Sequence, residues 1–182
     1  MLVNTPLKIF SAFIAILLLF VWPIASAFSN QDDTSEIVVF NAVTKFVDSV
    51  RDKGYMTPNM YQEFENTLFL TGNTYDIQME HLHKKYDPVY DDNGNFKNDF
   101  QVNDEAFYNS QINAKLFPAG NNDPTDPARI YKFAVGDFFS ITVKNTNRTM
   151  ATLMSDILYN TGDSPNGKII VPYGGMILNE DY

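Results

Sequence analysis

The 182-residue chain contains no cysteine, so disulfide bonds and thiolate chemistry contribute neither to its fold nor to its function. Basic residues are also scarce, with 13 lysines and arginines against 22 acidic residues and a formal net charge of -9. Nucleic acid requires a basic protein face, and anionic lipid headgroups attract polybasic segments. We therefore expect no nucleic-acid partner and no electrostatic attachment to a lipid surface.

Catalytic sequence motifs are missing as well. No serine stands in a G-x-S-x-G context, no glycine-rich segment resembles a P-loop, and no H-E-x-x-H occurs. Carboxylates are plentiful, but in a chain this acidic most of them are expected on the solvated surface. We predict that the protein is not an enzyme. We assign no catalytic residue, no cofactor-binding residue, no metal ligand and no cofactor.

One long apolar run lies near the N-terminus. Residues 9–22 read IFSAFIAILLLFVW, after the positively charged Lys8 and before an Ala-Ser-Ala motif at 25–27. This order is typical of a secretory signal peptide that is cleaved after Ala27. Residues 9–28 also number about 20, which is the length of a helix that spans a bilayer.

The two alternatives, a cleaved signal and a retained anchor, predict the same topology. Residues 1–28 form a signal peptide or membrane anchor, and residues 29–182 form a domain outside the cytoplasm. The protein is therefore expected at the cell membrane with an extracytoplasmic domain, or secreted. An exported chain without cysteine fits the exterior of a Gram-positive bacterium.

The sequence after the leader predicts a single α+β domain of amphipathic helices and a small antiparallel sheet. A helix is expected to begin at Asp33, with a capping box to Glu36 and an apolar face over residues 37–50, and to end at Gly54. Further elements are predicted by periodicity and turn residues: a helix from Thr57-Pro58, a strand over 75–82, a turn at 91–95, strands over 129–144 around a Gly136-Asp137 turn, a helix over 149–159 with Leu153, Met154, Ile157 and Leu158 inward, and a closing strand pair over 167–178.

The two histidines of the chain, His81 and His83, stand two residues apart on the predicted strand. This spacing directs both side chains to one face, where a carboxylate such as Glu80 or Asp87 would complete a metal site. The alternative is a solvent-exposed strand edge, since charged residues surround the pair. We prefer the exposed edge.

Two loops, residues 91–99 and 121–124, are rich in Asp and Asn, which is the composition of calcium-binding loops. If Gly94 is aligned with the sixth position of an EF-hand loop, Val89 and Phe100 fall on the first and twelfth positions. Neither residue type can ligate calcium through its side chain, so an EF-hand is excluded. A weaker, irregular calcium site in one of the loops stays open.

The chain resembles the TadE-like minor pseudopilins of tight-adherence pilus systems and related exported proteins of Gram-positive bacteria. The resemblance covers about the first half of the chain. It lies in the apolar segment 9–28, the amphipathic helix over 37–50, the junction VRDKGYMTP at 50–58 and the small α+β domain that follows. Pilin precursors carry Gly or Ala before the apolar run and Glu shortly inside it, and the KIFS sequence at 8–11 has neither.

The resemblance implies a non-enzymatic structural protein of the cell surface, a pseudopilin-like component of a pilus or envelope assembly. Its partners would be the membrane, through residues 9–28, and other envelope or pilus proteins. The alternative from a different class is a secreted ligand-binding module, freed by signal-peptide cleavage, with or without the assistance of calcium.

Overall fold

The computed structural model describes residues 4–121, 123–159 and 169–182. Met1, Leu2 and Val3 of the expected leader, and Gly167 and Lys168 of the expected strand pair, lie outside the described residues. The elements in chain order are helix α1 (Asn4–Lys53), strand β1 (Tyr55–Met56), helix α2 (Pro58–Phe69), strands β2 (Tyr75–Tyr90) and β3 (Phe96–Tyr108), helix α3 (Asn109–Leu116), a 3-10 turn (Pro127–Arg129), strands β4 (Tyr131–Lys132) and β5 (Phe138–Asn145), helix α4 (Met150–Tyr159) and strand β6 (Ile170–Met176). The predicted α+β class, with an apolar N-terminal helix before shorter helices and antiparallel strands, is confirmed.

Helix α1 is one continuous helix of 50 residues, where the sequence predicted a separate helix from Asp33. The prediction of a new N-terminus at Asp33 is wrong. Residues 24–32 contain neither glycine nor a second proline that would end the preceding helix. Pro23 removes only one hydrogen bond from the ladder, and the helix passes through it.

A four-stranded antiparallel sheet in the order β3-β2-β5-β6 forms the centre of the domain. The second half of α1 lies across one face of this sheet, and α2 packs beside it. The buried core joins α1, α2 and the sheet through the side chains of Val39, Val43, Phe46, Val47, Val50, Tyr61, Phe64, Leu68, Met79, Phe139, Ile141, Val143 and Val171. The apolar stripe of residues 37–50 therefore packs mainly on its own domain, although Ile37 and Phe40 stay exposed.

Strands β2 and β3 extend beyond the sheet as a two-stranded arm. Strand β2 pairs with β5 only over residues 75–82, whereas it pairs with β3 as far as Tyr90. The predicted turn at 91–95 closes the arm, where the Asp91 carboxylate accepts hydrogen bonds from the backbone N–H groups of Asn93 and Asn95. Residues 84–90 and 96–104 thus project past the domain core.

Two predictions for the C-terminal part are wrong. None of the apolar residues of α4 is buried, and Ile157 is 77% exposed, because among the described elements α4 packs mainly against α1. In place of a strand pair, residues 170–176 form the single edge strand β6, which pairs with β5 along its whole length.

Candidate functional site

The first half of α1 is an exposed apolar surface. Its most apolar 18-residue window has a mean hydropathy of 2.4, and none of that window is buried in the domain. Among the described residues, α1 is the one helix long and apolar enough to cross a membrane. This helix could serve as a membrane anchor or as a signal sequence.

A second feature lies at the base of the arm, where three metal-ligating side chains meet. The register of the sheet pairs Leu82 of β2 with Phe138 of β5. The next position along each strand brings His83 beside Asp137, and the alternation of β2 places His81 on the same face as His83. One ligand atom from each of the three side chains lies within 4.8 Å of the others.

The Asp137 carboxylate is the centre of this cluster. It accepts hydrogen bonds from His81 Nε2 at 2.8 Å and from His83 Nδ1 at 2.9 Å. Backbone N–H groups of Ala134 and Lys84 donate to the same carboxylate at 2.9 Å and 3.2 Å. The Gly136-Asp137 turn predicted from the sequence is present, and the Asp137 N–H donates to the Ala134 carbonyl at 3.0 Å.

Aromatic rings enclose His81. The Phe107 ring stacks on the imidazole with centroids 5.4 Å apart, and the Phe133 ring meets it edge-on at 4.6 Å. Tyr131 Oη lies 2.8 Å from His81 Nδ1. Because the Asp137 carboxylate can only accept, Nε2 of His81 carries the proton, and Nδ1 accepts the Tyr131 hydroxyl.

Burial and hydrogen bonds together set the charge states of these groups. Desolvation lowers the pKa of His81 below its ordinary value, although the Asp137 carboxylate acts in the opposite direction. Burial raises the pKa of Asp137, but hydrogen bonds from His83, the Ala134 N–H, His81 and the Lys84 N–H outweigh it, and the pKa falls below its usual range. Desolvation also raises the pKa of Tyr131 to about 12. A neutral imidazole thus faces an ionised carboxylate.

The cluster opens into a cleft of about 830 Å³. His81 and Asp137 are almost fully buried, whereas the side chain of His83 is 40% exposed. Lys115 and Lys132 line the same cleft and give it a positive rim. The cleft therefore gives small molecules access to the cluster from the His83 side.

The carboxylates suggested by the sequence are not those that the structure brings to the histidines. Glu80 points to the opposite face of β2, and Asp87 lies out on the arm, where it accepts a hydrogen bond from Asn103 at 2.9 Å. The alternative of a solvent-exposed edge is wrong for His81, which is 4% exposed. His81 continues the alternation of Tyr75, Ile77 and Met79 on the buried face of β2, and this pattern could have predicted that His81 is buried.

The carboxylates in and beside the Asp- and Asn-rich loops accept hydrogen bonds from residues close to them in the sequence. Asp123 accepts from the backbone and side chain of Thr125, and Asp126 accepts from the Ala128 N–H. These hydrogen bonds lower the pKa of both aspartates. Within the described ranges, the three-residue group able to hold a metal ion is His81, His83 and Asp137.

Comparison with protein-family models, with curated proteins and with solved structures finds no match for this chain. The features of the chain that bear on its function are the exposed apolar helix, the arm and the cluster in the cleft.

Proposed function

We propose that this protein is a non-enzymatic structural protein of the bacterial cell surface, a pseudopilin-like component of a pilus or envelope assembly. The observation that carries the proposal is the continuity of α1. Its first half is apolar and exposed, and its second half is the core helix of the domain. An anchor and a folded domain thus share one helix with no flexible linker between them.

The placement of α4 supports a membrane-proximal domain. Thr149, just before α4, donates a hydrogen bond from its hydroxyl to the Asp32 carboxylate at 2.6 Å. Asp32 follows the apolar segment 9–28 by four residues, which is about 6 Å along a helix. The exposed apolar side chains of α4, among them Leu153 and Ile157, would therefore lie near the membrane surface. Such a position explains why these side chains need no protein partner.

The arm supports contact with neighbouring envelope proteins. The cross-strand pairs Tyr86–Val102, Pro88–Phe100 and Tyr90–Phe96 place six apolar side chains on one face of the arm. All six are exposed, and the rings of Phe96 and Phe100 contact each other with centroids 5.4 Å apart. A two-stranded ribbon gains little stability alone in water, and exposed apolar patches commonly mark protein interfaces. We assign this face to a neighbouring subunit of the assembly.

Mass spectrometry of the native N-terminus tests the proposal against its alternative. Protein isolated from the membrane fraction of its own cells should retain residues 9–28. A chain that begins at Phe28 and is recovered from the culture medium would contradict the anchored subunit and favour the secreted binding module. Because the helix is continuous, cleavage after Ala27 would leave the packed half of α1 intact, so either product would be folded.

A further inference from the structure

We propose that His81, His83 and Asp137 form a binding site for a divalent transition-metal ion, of which Zn²⁺ is the best match. The site goes beyond the proposed structural function and replaces our sequence-based prediction of no metal ligand. Two imidazole nitrogens and one carboxylate oxygen are a ligand set that zinc takes in proteins. The absence of cysteine removes competing thiolate ligands from the chain.

The distances between the ligand atoms are close to those that a bound ion requires. Zinc holds nitrogen and oxygen ligands at about 2.0–2.2 Å, so neighbouring ligand atoms of a tetrahedral site lie about 3.3–3.6 Å apart. The His81 Nε2 and His83 Nδ1 atoms lie 2.8 Å and 3.0 Å from the same oxygen, Asp137 Oδ2. The ligand atoms of all three side chains lie within 4.8 Å of one another. Small side-chain shifts would replace these two hydrogen bonds by bonds to one ion.

Tyr131 is placed to orient His81 as a ligand. When Nε2 binds an ion, the proton of the imidazole moves to Nδ1, which then donates to the Tyr131 hydroxyl oxygen 2.8 Å away. Metal-bound histidines usually donate their other ring nitrogen in this way, and the partner fixes the ring. The stacked Phe107 and the edge-on Phe133 hold the ring in the same plane.

The site is built from rigid elements on two sides and open on the third. His81 and His83 belong to β2, and Asp137 is fixed by the backbone N–H groups of Ala134 and Lys84. The partly exposed His83 side chain borders the cleft, so the fourth coordination position is left to water. An ion here would join the base of the arm to the turn that precedes β5.

Metal titration of the full chain in detergent micelles, purified without a histidine tag and stripped with a chelator, tests the site. We expect calorimetry to show one Zn²⁺ per chain with a micromolar or tighter dissociation constant. Co²⁺ should give the visible absorption of a four-coordinate ion. His81 and His83 are the only histidines of the chain, so a histidine-based signal reports this cluster.

His83→Ala is the informative variant, because His83 is partly exposed and its loss should leave the fold intact. It should weaken Zn²⁺ binding by more than about 100-fold, whereas Tyr131→Phe, which removes only the orienting partner, should weaken it by about 10- to 100-fold. Glu80→Gln and Asp87→Asn are matched controls that remove the neighbouring carboxylates outside the cluster. They should bind Zn²⁺ as the unaltered chain does.

Three results would overturn the proposal. The first is a chain that gives no saturable one-to-one heat, and the second is a His83→Ala variant with unchanged affinity. The third is equal loss of binding in the two carboxylate controls. In each case the cluster would be a hydrogen-bonded connection between β2 and the turn at Asp137, with no ion. Circular dichroism of every variant separates loss of the site from loss of the fold.

Discussion

At the scale of single residues, Phe46 marks where α1, α2 and the sheet meet. Its ring stacks on Phe64 with centroids 4.6 Å apart and contacts Phe139 edge-on at 6.5 Å. The pseudopilin resemblance predicts that the apolar face of residues 37–50 contacts neighbouring subunits, whereas a secreted module would pack this face inside its own domain. The structure shows packing inside the domain, where Phe46 is 6% exposed, so the prediction of subunit contact through this face is wrong. The proposed assembly would use the exposed half of α1 and the arm.

Replacing Phe46 with Ala should lower the free energy of unfolding by about 3–5 kcal/mol, because it removes a buried ring and leaves a cavity. Chemical denaturation of the full chain in detergent micelles measures this loss. Phe40→Ala is the matched control on the same helix, since the Phe40 side chain is 50% exposed. Its effect should stay within about 0.5 kcal/mol. Equal effects of the two substitutions would contradict the packing of α1 described above.

Gly54 ends α1 in a backbone conformation that favours glycine, with φ at +73°. A Cβ atom at this position would clash with the backbone carbonyl oxygen of Asn179. Gly72 has a similar φ of +76°, but nothing lies within 4 Å of its Cβ position. Comparing a substitution at Gly54 with one at Gly72 therefore separates the cost of backbone strain, present at both positions, from that of a steric clash, present only at Gly54.

Gly72→Ala should destabilise the domain by about 1 kcal/mol, which is the cost of a left-handed conformation for a side chain with Cβ. Gly54→Ala should cost clearly more, because the C-terminal segment must also move away from α1. Thermal melting of both variants tests the difference. Similar melting temperatures for the two would show that residue 179 does not hold the described position.

At the scale of elements, the apolar face of the arm leads to a prediction about which side of the arm binds a partner. A photo-crosslinking amino acid placed at Phe100 should capture a neighbouring envelope protein in native cells, because this position lies on the apolar face. The same group at Gln101, on the opposite polar face, is the control and should capture little. Identification of the product by mass spectrometry names the partner. Equal yields at the two positions would argue against an interface on the apolar face.

The elements also show where sequence reasoning succeeds. Local signals located the end of α1 at Gly54, the start of α2 at Thr57-Pro58 and the turn at 91–95, because each depends on neighbouring residues alone. Thr57 Oγ1 accepts the Met60 N–H at 3.3 Å, as expected for a helix cap. The start of α1 was predicted wrongly. Asp33 and Glu36 have the spacing of a capping box, but they lie in the interior of a continuous helix, where no cap is required.

The cluster in the cleft could not be located in the same way. Asp137 lies 54 residues after His83, and only the pairing of β2 with β5 brings them together. The Gly-Asp pair at 136–137 predicts a turn from local sequence, and nothing in that pattern indicates that Asp137 contacts the histidines. The burial of His81 could nevertheless be predicted from the sequence, because the alternation through Met79 directs His81 to the buried face. A carboxylate partner had to be found through tertiary structure.

At the scale of the whole molecule, the topology depends on the apolar half of α1. Replacing Leu17, Leu18 and Leu19 with Asp should keep the protein in the cytoplasm, since each Asp in mid-segment costs about 2.5–3.5 kcal/mol on insertion. Replacement of the same residues with Ile is the control and should leave export unchanged. Cell fractionation followed by immunoblotting measures the distribution. Normal appearance of the Asp variant at the surface would refute an extracytoplasmic domain.

The unbroken α1 also limits how an anchored domain can move. Its 50 residues make a helix about 75 Å long, and no loop separates the part that would lie in the lipid from the part in the core. The domain could then neither swing on a tether nor rise from the bilayer, so the cleft and the arm would stay at a constant height above the lipid. Anchored copies of the chain would meet only by lateral and rotational diffusion in the plane of the membrane. Collisions in two dimensions would thus set the rate of assembly, and a partner at another height would never be reached.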